Sequence, residues 1–170
     1  MMPSRFLPTF LLGAGFFVAV AAAPAAAMPA PVVHPMSPDV VAKMSALFAK
    51  ASPAVREWVD AEARKLRPMP KIDLFMVAAD ARQRFASAVP PLTPAQADLL
   101  AAMALYQTAK DLESEARLKQ PTGKSELTPQ DLQALQQLMD RKSQLEAMIA
   151  SVMRSSYDAG QAAISTLKAS

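Results

Sequence analysis

The feature that most constrains the fold is a repeated pair in which serine or threonine precedes proline. It occurs at Ser37-Pro38, Ser52-Pro53, Thr93-Pro94 and Thr128-Pro129. The hydroxyl can accept a hydrogen bond from an unpaired N–H of a helix's first turn, and proline at the first helical position loses no bond. Each pair therefore predicts the start of a helix.

The last of these pairs precedes the longest predicted helix. No proline follows Pro129, and apolar residues at helical spacing predict a helix from Pro129 to about Leu167. The preceding helix is predicted from Pro94 to about Lys119, with its first half the better buried. A short connector implies an antiparallel hairpin. Because the final helix is longer, we expect its end to overhang and fray, or to pack on other helices or another subunit.

Three shorter helices are predicted before the hairpin, over residues 38–50, 53–67 and 71–88. Alanine, leucine, glutamine, lysine and methionine, which favour helices, dominate the composition. The predicted fold class is all-α, a small helical domain with a long C-terminal antiparallel helical hairpin. The sequence leaves open whether Pro53 kinks one helix or separates two.

The N-terminus has the layout of a secretory signal peptide. A positive residue, Arg5, precedes an apolar run from Phe6 to Ala23, and small residues end at Ala27. We expect residues 1–27 to be the signal peptide, 28–36 a proline-rich, unpacked leader, and 37–170 a single α-helical domain. The alternative is an uncleaved anchor, since the apolar run could just span a bilayer. Cleavage predicts a periplasmic or secreted bacterial protein without a stable membrane anchor.

The residue inventory argues against several functional classes. The chain has no cysteine and a single histidine, His34, which lies outside the predicted helices. Disulfides, thiol catalysis and a Ser/His/Asp arrangement are therefore not expected. The net charge is +3, with acids and bases interspersed, which gives no basis for nucleic-acid binding. We expect a non-catalytic protein with no cofactor, whose partners are other proteins, as clients or as a second copy in a homodimer.

Two pentapeptides carry a family resemblance. Leu92-Thr93-Pro94-Ala95-Gln96 matches the LTxxQ pattern of the Spy/CpxP family of periplasmic stress proteins, and the sequence Leu127-Thr128-Pro129-Gln130-Asp131 departs from it at Asp131. This resemblance implies an ATP-independent chaperone or envelope-stress modulator in which helical hairpins form a curved dimer. The same residues also fit helix capping alone, because the third residue after threonine can accept from the threonine N–H.

Candidate binding residues follow from these predictions. Met139, Met148 and Met153 would form a client surface, since flexible thioethers suit promiscuous apolar binding. Arg64, Lys65, Arg67 and Lys71, with Arg82 and Arg84, would form a basic patch for anionic lipid or an acidic client, or a solvated face. Two alternatives remain. One is an adaptor that assembles through the final helix, and the other is a metal-binding protein that uses His34 and Met36, because soft thioethers select Cu(I).

Overall fold

The computed structural model describes residues 32–88, 90–120 and 127–161, together with residues 164 and 167. This part of the chain contains five α-helices and no β-strand, which confirms the all-α prediction. The helices are α1 (Pro38–Lys50), α2 (Pro53–Leu66), α3 (Leu74–Arg84), α4 (Pro94–Lys119) and α5 (Pro129–Gly160). None of these described helices is both long and apolar enough to cross a membrane. The predicted signal peptide lies outside the described residues.

Hydroxyl–proline pairs begin four of the five helices, as predicted. The Ser52 hydroxyl accepts from the N–H of Val55 at 3.3 Å, and Thr93 and Thr128 each form a capping box with the residue three positions later. Ser37 makes no side-chain cap bond, so α1 begins on proline alone. Between α1 and α2, Ala51 is extended with ψ of 137°. Pro53 therefore starts a separate helix.

α3 is shorter than the predicted 71–88. The carboxylate of Asp73 accepts from the N–H of Phe75 at 2.9 Å, so Asp73 is the N-cap and the helix begins at Leu74. At the other end, Phe85 leaves the helical conformation, with φ of −108° and ψ of 28°. The sequence-based bounds were wrong because they followed apolar spacing and missed the ability of an aspartate side chain to cap the backbone.

α4 is the centre of the domain. Every residue from 99 to 105 is 0% exposed, and α1, α2, α3 and α5 all pack against this helix. A helix that is apolar around its whole circumference requires neighbours on every side. Towards the other end of α4, Leu118 is 87% exposed. The prediction that the first half of this helix is the better buried is confirmed.

α4 and α5 pack against each other in antiparallel order. Contacts along the pair run in opposite chain directions: Gly160 with Ala95 and Leu99, Lys142 with Glu113, and Leu135 and Met139 with Ala116. This order is the one that the predicted hairpin requires. Residues 121–126, which connect the two helices, lie outside the described residues.

The end of the final helix does not overhang, and it packs on other helices, which is one of the outcomes that the sequence left open. α5 ends at Gly160 rather than near Leu167, and Val152, Met153, Ser156 and Gly160 are all buried. A Cβ on Gly160 would lie 2.9 Å from Leu99 Cδ2 and 3.0 Å from the Ala95 carbonyl oxygen. The small residues that suggested a weakly apolar, fraying end instead let the two helices approach closely.

The chain beyond α5 returns to the break between α1 and α2. Ile164 is 0% exposed and Leu167 is 4% exposed, and both belong to the main core. The N–H of Ser52 donates to the Ile164 carbonyl at 3.4 Å, and the Ser52 hydroxyl donates to the Leu167 carbonyl. The C-terminal segment therefore closes the same end of the domain at which α2 begins.

Residues 32–37, which we call the N-terminal strap, are not helical but pack on the domain. Met36 is 7% exposed and joins the main core, and Val33 packs on the cluster formed by Ala116, Leu135 and Met139. The His34 carbonyl accepts a hydrogen bond from Lys142 Nζ. The expectation of an unpacked leader is wrong here, because Met36 enters the main core and Val33 packs between α4 and α5.

Candidate functional site

The methionines predicted to form a client surface are mostly inside the protein. Met139 is 9% exposed and Met153 is 6% exposed, and Met148 is partly buried against the main core. Met139 and Met153, fourteen residues apart, share one side of α5, and Met139 packs beside Ala116 of α4. Methionine fills irregular core gaps as readily as it lines binding surfaces, so the same pattern fits both roles. The prediction of an exposed client surface is wrong for Met139 and Met153, which are buried, whereas Met148 is only partly buried.

The predicted basic patch consists of exposed side chains, and several of them are already paired. Lys65 Nζ lies 2.7 Å from a Glu62 carboxylate oxygen, and Arg67 pairs with Glu115 at 3.0 Å. The Arg64 guanidinium donates to the Asp60 carbonyl. Lys71 is exposed and has no ion pair among the described residues. Most of this charge is therefore locally neutralised, as in a solvated helix face.

The structure instead presents a cleft between α2 and α3. Each of these helices packs against α4, and their backbones stay apart, so that side chains make the contacts between them. Two cavities of about 480 Å³ and about 410 Å³ lie between them and share Lys65, Asp80 and Gln83 as lining residues. We call this pair of cavities the α2–α3 cleft. Both volumes are within the range of sites that bind small molecules or a few side chains.

The larger cavity is bordered by an aromatic and polar wall. The indole N–H of Trp58 donates to the Asp80 carboxylate at 3.3 Å. The Trp58 ring also meets Phe85 edge-on, with centroids 6.2 Å apart and planes at 70°. These contacts fix the indole in place, so this side of the cleft is preformed.

The smaller cavity is apolar at its base and open at its walls. Leu66 and Val77 are each 3% exposed and form the base, with the partly buried Ile72 beside them. Met69 is 44% exposed and Met76 is 64% exposed, and both line the opening. The thioether side chains can adjust to different apolar shapes, whereas the base is held by the core.

Charged groups cross the cleft between the two cavities. Lys65 Nζ lies 3.5 Å from an Asp80 carboxylate oxygen and also pairs with Glu62. The hydrogen bond from Lys65 to Glu62 raises the pKa of the lysine above its usual value, although burial opposes this shift. The lysine is thus held as a cation where α2 faces α3, and its charge is compensated.

The residues of the two family-like pentapeptides act as helix starts. Gln96 Oε1 accepts from the Thr93 N–H at 2.8 Å, and Asp131 accepts from the Thr128 N–H at 3.3 Å. Leu92 packs on the main core and Leu127 on the smaller cluster. Comparisons with models of protein families, with known proteins and with solved structures found no match. The capping geometry accounts for these residues without reference to a family.

A second polar cluster surrounds Lys142, which is 2% exposed. Its ammonium lies 2.8 Å from Glu146 and 3.6 Å from Glu113, and it donates to the His34 carbonyl of the strap. Each charged partner is satisfied, which is the condition for burying an ion without a large loss of stability. This cluster fastens the strap to α4 and α5.

The structure does not favour the alternative in which His34 and Met36 bind a metal ion. His34 is exposed, whereas Met36 is 7% exposed because it is inserted into the core. Within the described part of the chain, no group of three or more histidine, cysteine, aspartate or glutamate side chains could hold a metal ion. The side chains that line the α2–α3 cleft combine apolar groups with charged groups of both signs.

The sequence analysis did not predict the α2–α3 cleft. The sequence feature that could have predicted it is the width of the apolar face of α3. α3 presents Val77, Ala78 and Ala81 to the core, and an arc that also includes Phe75 and Met76 is wider than one contact with α4 can cover. When a short helix has more apolar surface than its neighbour can cover, some of its apolar residues are expected to remain exposed.

Proposed function

We propose that this chain is an exported, non-catalytic binding protein that holds apolar segments of other polypeptides in the α2–α3 cleft. The observation that carries the proposal is the smaller cavity, in which exposed Met69 and Met76 surround an apolar base. A volume of about 410 Å³ accommodates a few side chains and not a folded domain. The occupant is therefore a short unfolded or locally exposed segment.

The composition of the cleft suits an unselective binder. Thioethers repack around different apolar groups, and the rim carries both signs of charge, with Lys65 and Lys71 near Asp73 and Asp80. Such a site discriminates little between sequences. This behaviour agrees with the chaperone or stress-modulator role that the resemblance to Spy/CpxP proteins implies. The α2–α3 cleft is a different surface from the one that the sequence suggested, which was formed by methionines of α5.

The proposal places the protein outside the cytoplasm. Residues 1–27 have the charge, apolar run and small-residue end of a signal peptide, and the chain contains no cysteine. The protein would act in the periplasm or after secretion, without nucleotide and without a cofactor. Appearance of a mature form beginning at Met28 in the exported fraction would support this location, and retention of the uncleaved chain in the membrane would contradict it.

The alternative of an adaptor that assembles through the final helix depends on an unpartnered C-terminal arm. In the described residues, that arm is packed against α4, with Gly160 in contact with Ala95 and Leu99. The cleft is the better-supported surface for binding another protein.

An aggregation assay tests the proposal. The double variant Met69→Ser/Met76→Ser removes the exposed thioethers of the cleft and leaves the buried base intact. We expect the unmodified protein to suppress aggregation of an unfolding model protein at near-stoichiometric ratios without nucleotide, and the double variant to lose most of this effect.

Leu118→Ser is the matched control, because Leu118 is 87% exposed and lies near the end of α4, outside the cleft. The control should suppress aggregation as well as the unmodified protein. The proposal fails if the unmodified protein gives no suppression, or if the control and the cleft variant lose the same amount.

A further inference from the structure

Phe75 is exposed but does not line either cavity of the α2–α3 cleft. Its side chain is 68% exposed, and the neighbouring Met76 is 64% exposed. Both residues lie in the first turn of α3, on the side away from the buried Val77, Ala78 and Ala81. Phe75 therefore projects into solvent and contributes nothing to the core and little to the proposed polypeptide site.

Cations accompany this exposed pair. The Arg82 guanidinium lies over the Phe75 ring, 5.7 Å from its centroid, because residues seven apart fall on one helix face. Lys71 precedes α3 and lines the same cavity as Met76. Neither Arg82 nor Lys71 has a carboxylate partner in the part of the chain that the structure describes. We call Lys71, Phe75, Met76 and Arg82 the α3 edge.

The nearby carboxylates do not neutralise this edge. Asp80 lines the cleft, where it accepts from Trp58 and pairs with Lys65. Asp73 accepts from the Phe75 N–H, and the positive end of the α3 dipole balances part of its charge. The α3 edge consequently combines two unpaired cations with two exposed large apolar side chains.

We propose that the α3 edge is a docking surface for an anionic lipid membrane. Phe75 and Met76 would enter the boundary between headgroups and acyl chains, and Lys71 and Arg82 would contact lipid phosphates. The cation over the ring can remain at headgroup depth while the ring lies below it, because arginine carries its charge on a long apolar stem. Binding would be peripheral and reversible, since one aromatic ring and two cations give modest affinity.

A membrane fits this edge better than a polypeptide. Phe75 protrudes from a helix and is not enclosed by a cavity, so a compact partner would leave much of the ring in water, whereas a lipid surface can surround it. Unpaired cations also select an anionic surface. This inference goes beyond the proposed polypeptide binding and does not rest on it.

Cosedimentation with vesicles tests the inference. One set of vesicles contains phosphatidylglycerol mixed with phosphatidylcholine, and the other contains phosphatidylcholine alone. The double variant Lys71→Gln/Arg82→Gln should lower the partition coefficient of the protein onto anionic vesicles by about 25-fold at low salt. This value assumes a loss of about fivefold for each cation removed. Lys110→Gln/Arg154→Gln makes the same charge change at exposed positions on α4 and α5, and should lower binding far less.

A second measurement follows insertion of the ring. Phe75→Trp should show emission shifted to shorter wavelength on anionic vesicles, while Trp58, which is 6% exposed, contributes an unchanging background. Every variant carries the same N-terminal residues, so any binding by that segment cancels in the comparison.

The inference is overturned if the two double variants lose binding equally, because net charge alone would then explain it. It is also overturned if the Phe75→Trp emission is unchanged, or if the edge variant retains vesicle binding but loses suppression of aggregation. In that last case, the edge would belong to the polypeptide site. Loss of suppression in the single variant Met69→Ser, which lies outside the α3 edge, with unchanged vesicle binding would support both proposals separately.

Discussion

Replacing Lys142 with methionine tests whether a buried ammonium holds the N-terminal strap in place. Lys142 is 2% exposed, and methionine nearly matches the length of its apolar stem, so most packing is kept. The substitution removes the hydrogen bond to the His34 carbonyl and the ion pairs with Glu146 and Glu113. The experiment therefore separates the contribution of the charge from that of the side-chain volume.

The expected loss of stability follows from the exposure of the partners that remain. Removing one member of a fully buried ion pair costs about 3–5 kcal/mol, because the other charge is left buried. Here the Glu113 and Glu146 side chains are 15% and 29% exposed, and Glu113 keeps its pair with Arg117 at 2.7 Å. We therefore expect a smaller cost of about 2 kcal/mol, which corresponds to a fall in Tm of roughly 5–10 °C.

Two measurements check this expectation. Thermal unfolding gives the change in stability, and limited proteolysis with an unselective protease reports whether residues 32–37 lose protection before the helices do. Lys119→Met is the matched control, because Lys119 is 45% exposed and lies 3.9 Å from Glu115. A surface pair of this kind contributes less than about 1 kcal/mol, so the control should change little.

A double variant sharpens the interpretation. Adding Glu146→Gln to Lys142→Met removes the carboxylate that the first change leaves unpaired, and should restore part of the lost stability. The reasoning is refuted if Lys142→Met is as stable as the unmodified protein and the strap stays protected. That outcome would mean that Val33 and Met36 hold the strap by apolar packing alone.

Two further predictions concern packing and pH. Gly160→Ala should lower the free energy of unfolding by about 1 kcal/mol, because the new Cβ would lie 3.0 Å from the Ala95 carbonyl oxygen and this overpacking outweighs the gain in helix propensity. Thermal unfolding measures the change. An unchanged or higher Tm would contradict the close approach of α4 and α5. Burial, which is the largest cause, raises the pKa of Tyr106 above its usual value of 10.0, so the folded state disfavours the phenolate. The protonated Tyr106 therefore stabilises the fold below the pKa that tyrosine has in the unfolded chain, and this stabilisation is lost as the pH rises through the pKa of the folded state. Unfolding measured from pH 9 upwards should show the free energy of unfolding falling above about pH 10. A Tyr106→Phe variant should show a weaker fall, and an equal fall in both proteins would assign the effect to other groups.

The helix starts were predictable because they depend on local chemistry. Thr93 and Thr128 each cap their own helix through residues within one turn, so a short stretch of sequence contains all the information required. The burial of α4 was also readable, because apolar residues occupy every side of its first half. The start of α3 was not predicted, since Asp73 competes with the apolar spacing that suggested an earlier beginning.

Long-range contacts account for what the sequence did not reveal. The spacing of Met139 and Met153 shows that they share a face of α5, but not whether α4 covers that face. The end of α5 appeared weakly apolar, yet Gly160 allows contact with Leu99 across the helix pair. In both cases the outcome depends on contacts with a separate helix, which local periodicity does not specify.

The distribution of exposed apolar side chains is the strongest reason to assign function to α3. Single exposed hydrophobic residues are ordinary and need no explanation. Three of the five large ones in the described residues, however, lie at Met69, Phe75 and Met76, within one short segment beside the cleft. Since α4 already provides the core contact of α3 through Val77, Ala78 and Ala81, these three add little to folding. Their clustering is what the proposed binding role of the cleft and of the α3 edge would explain.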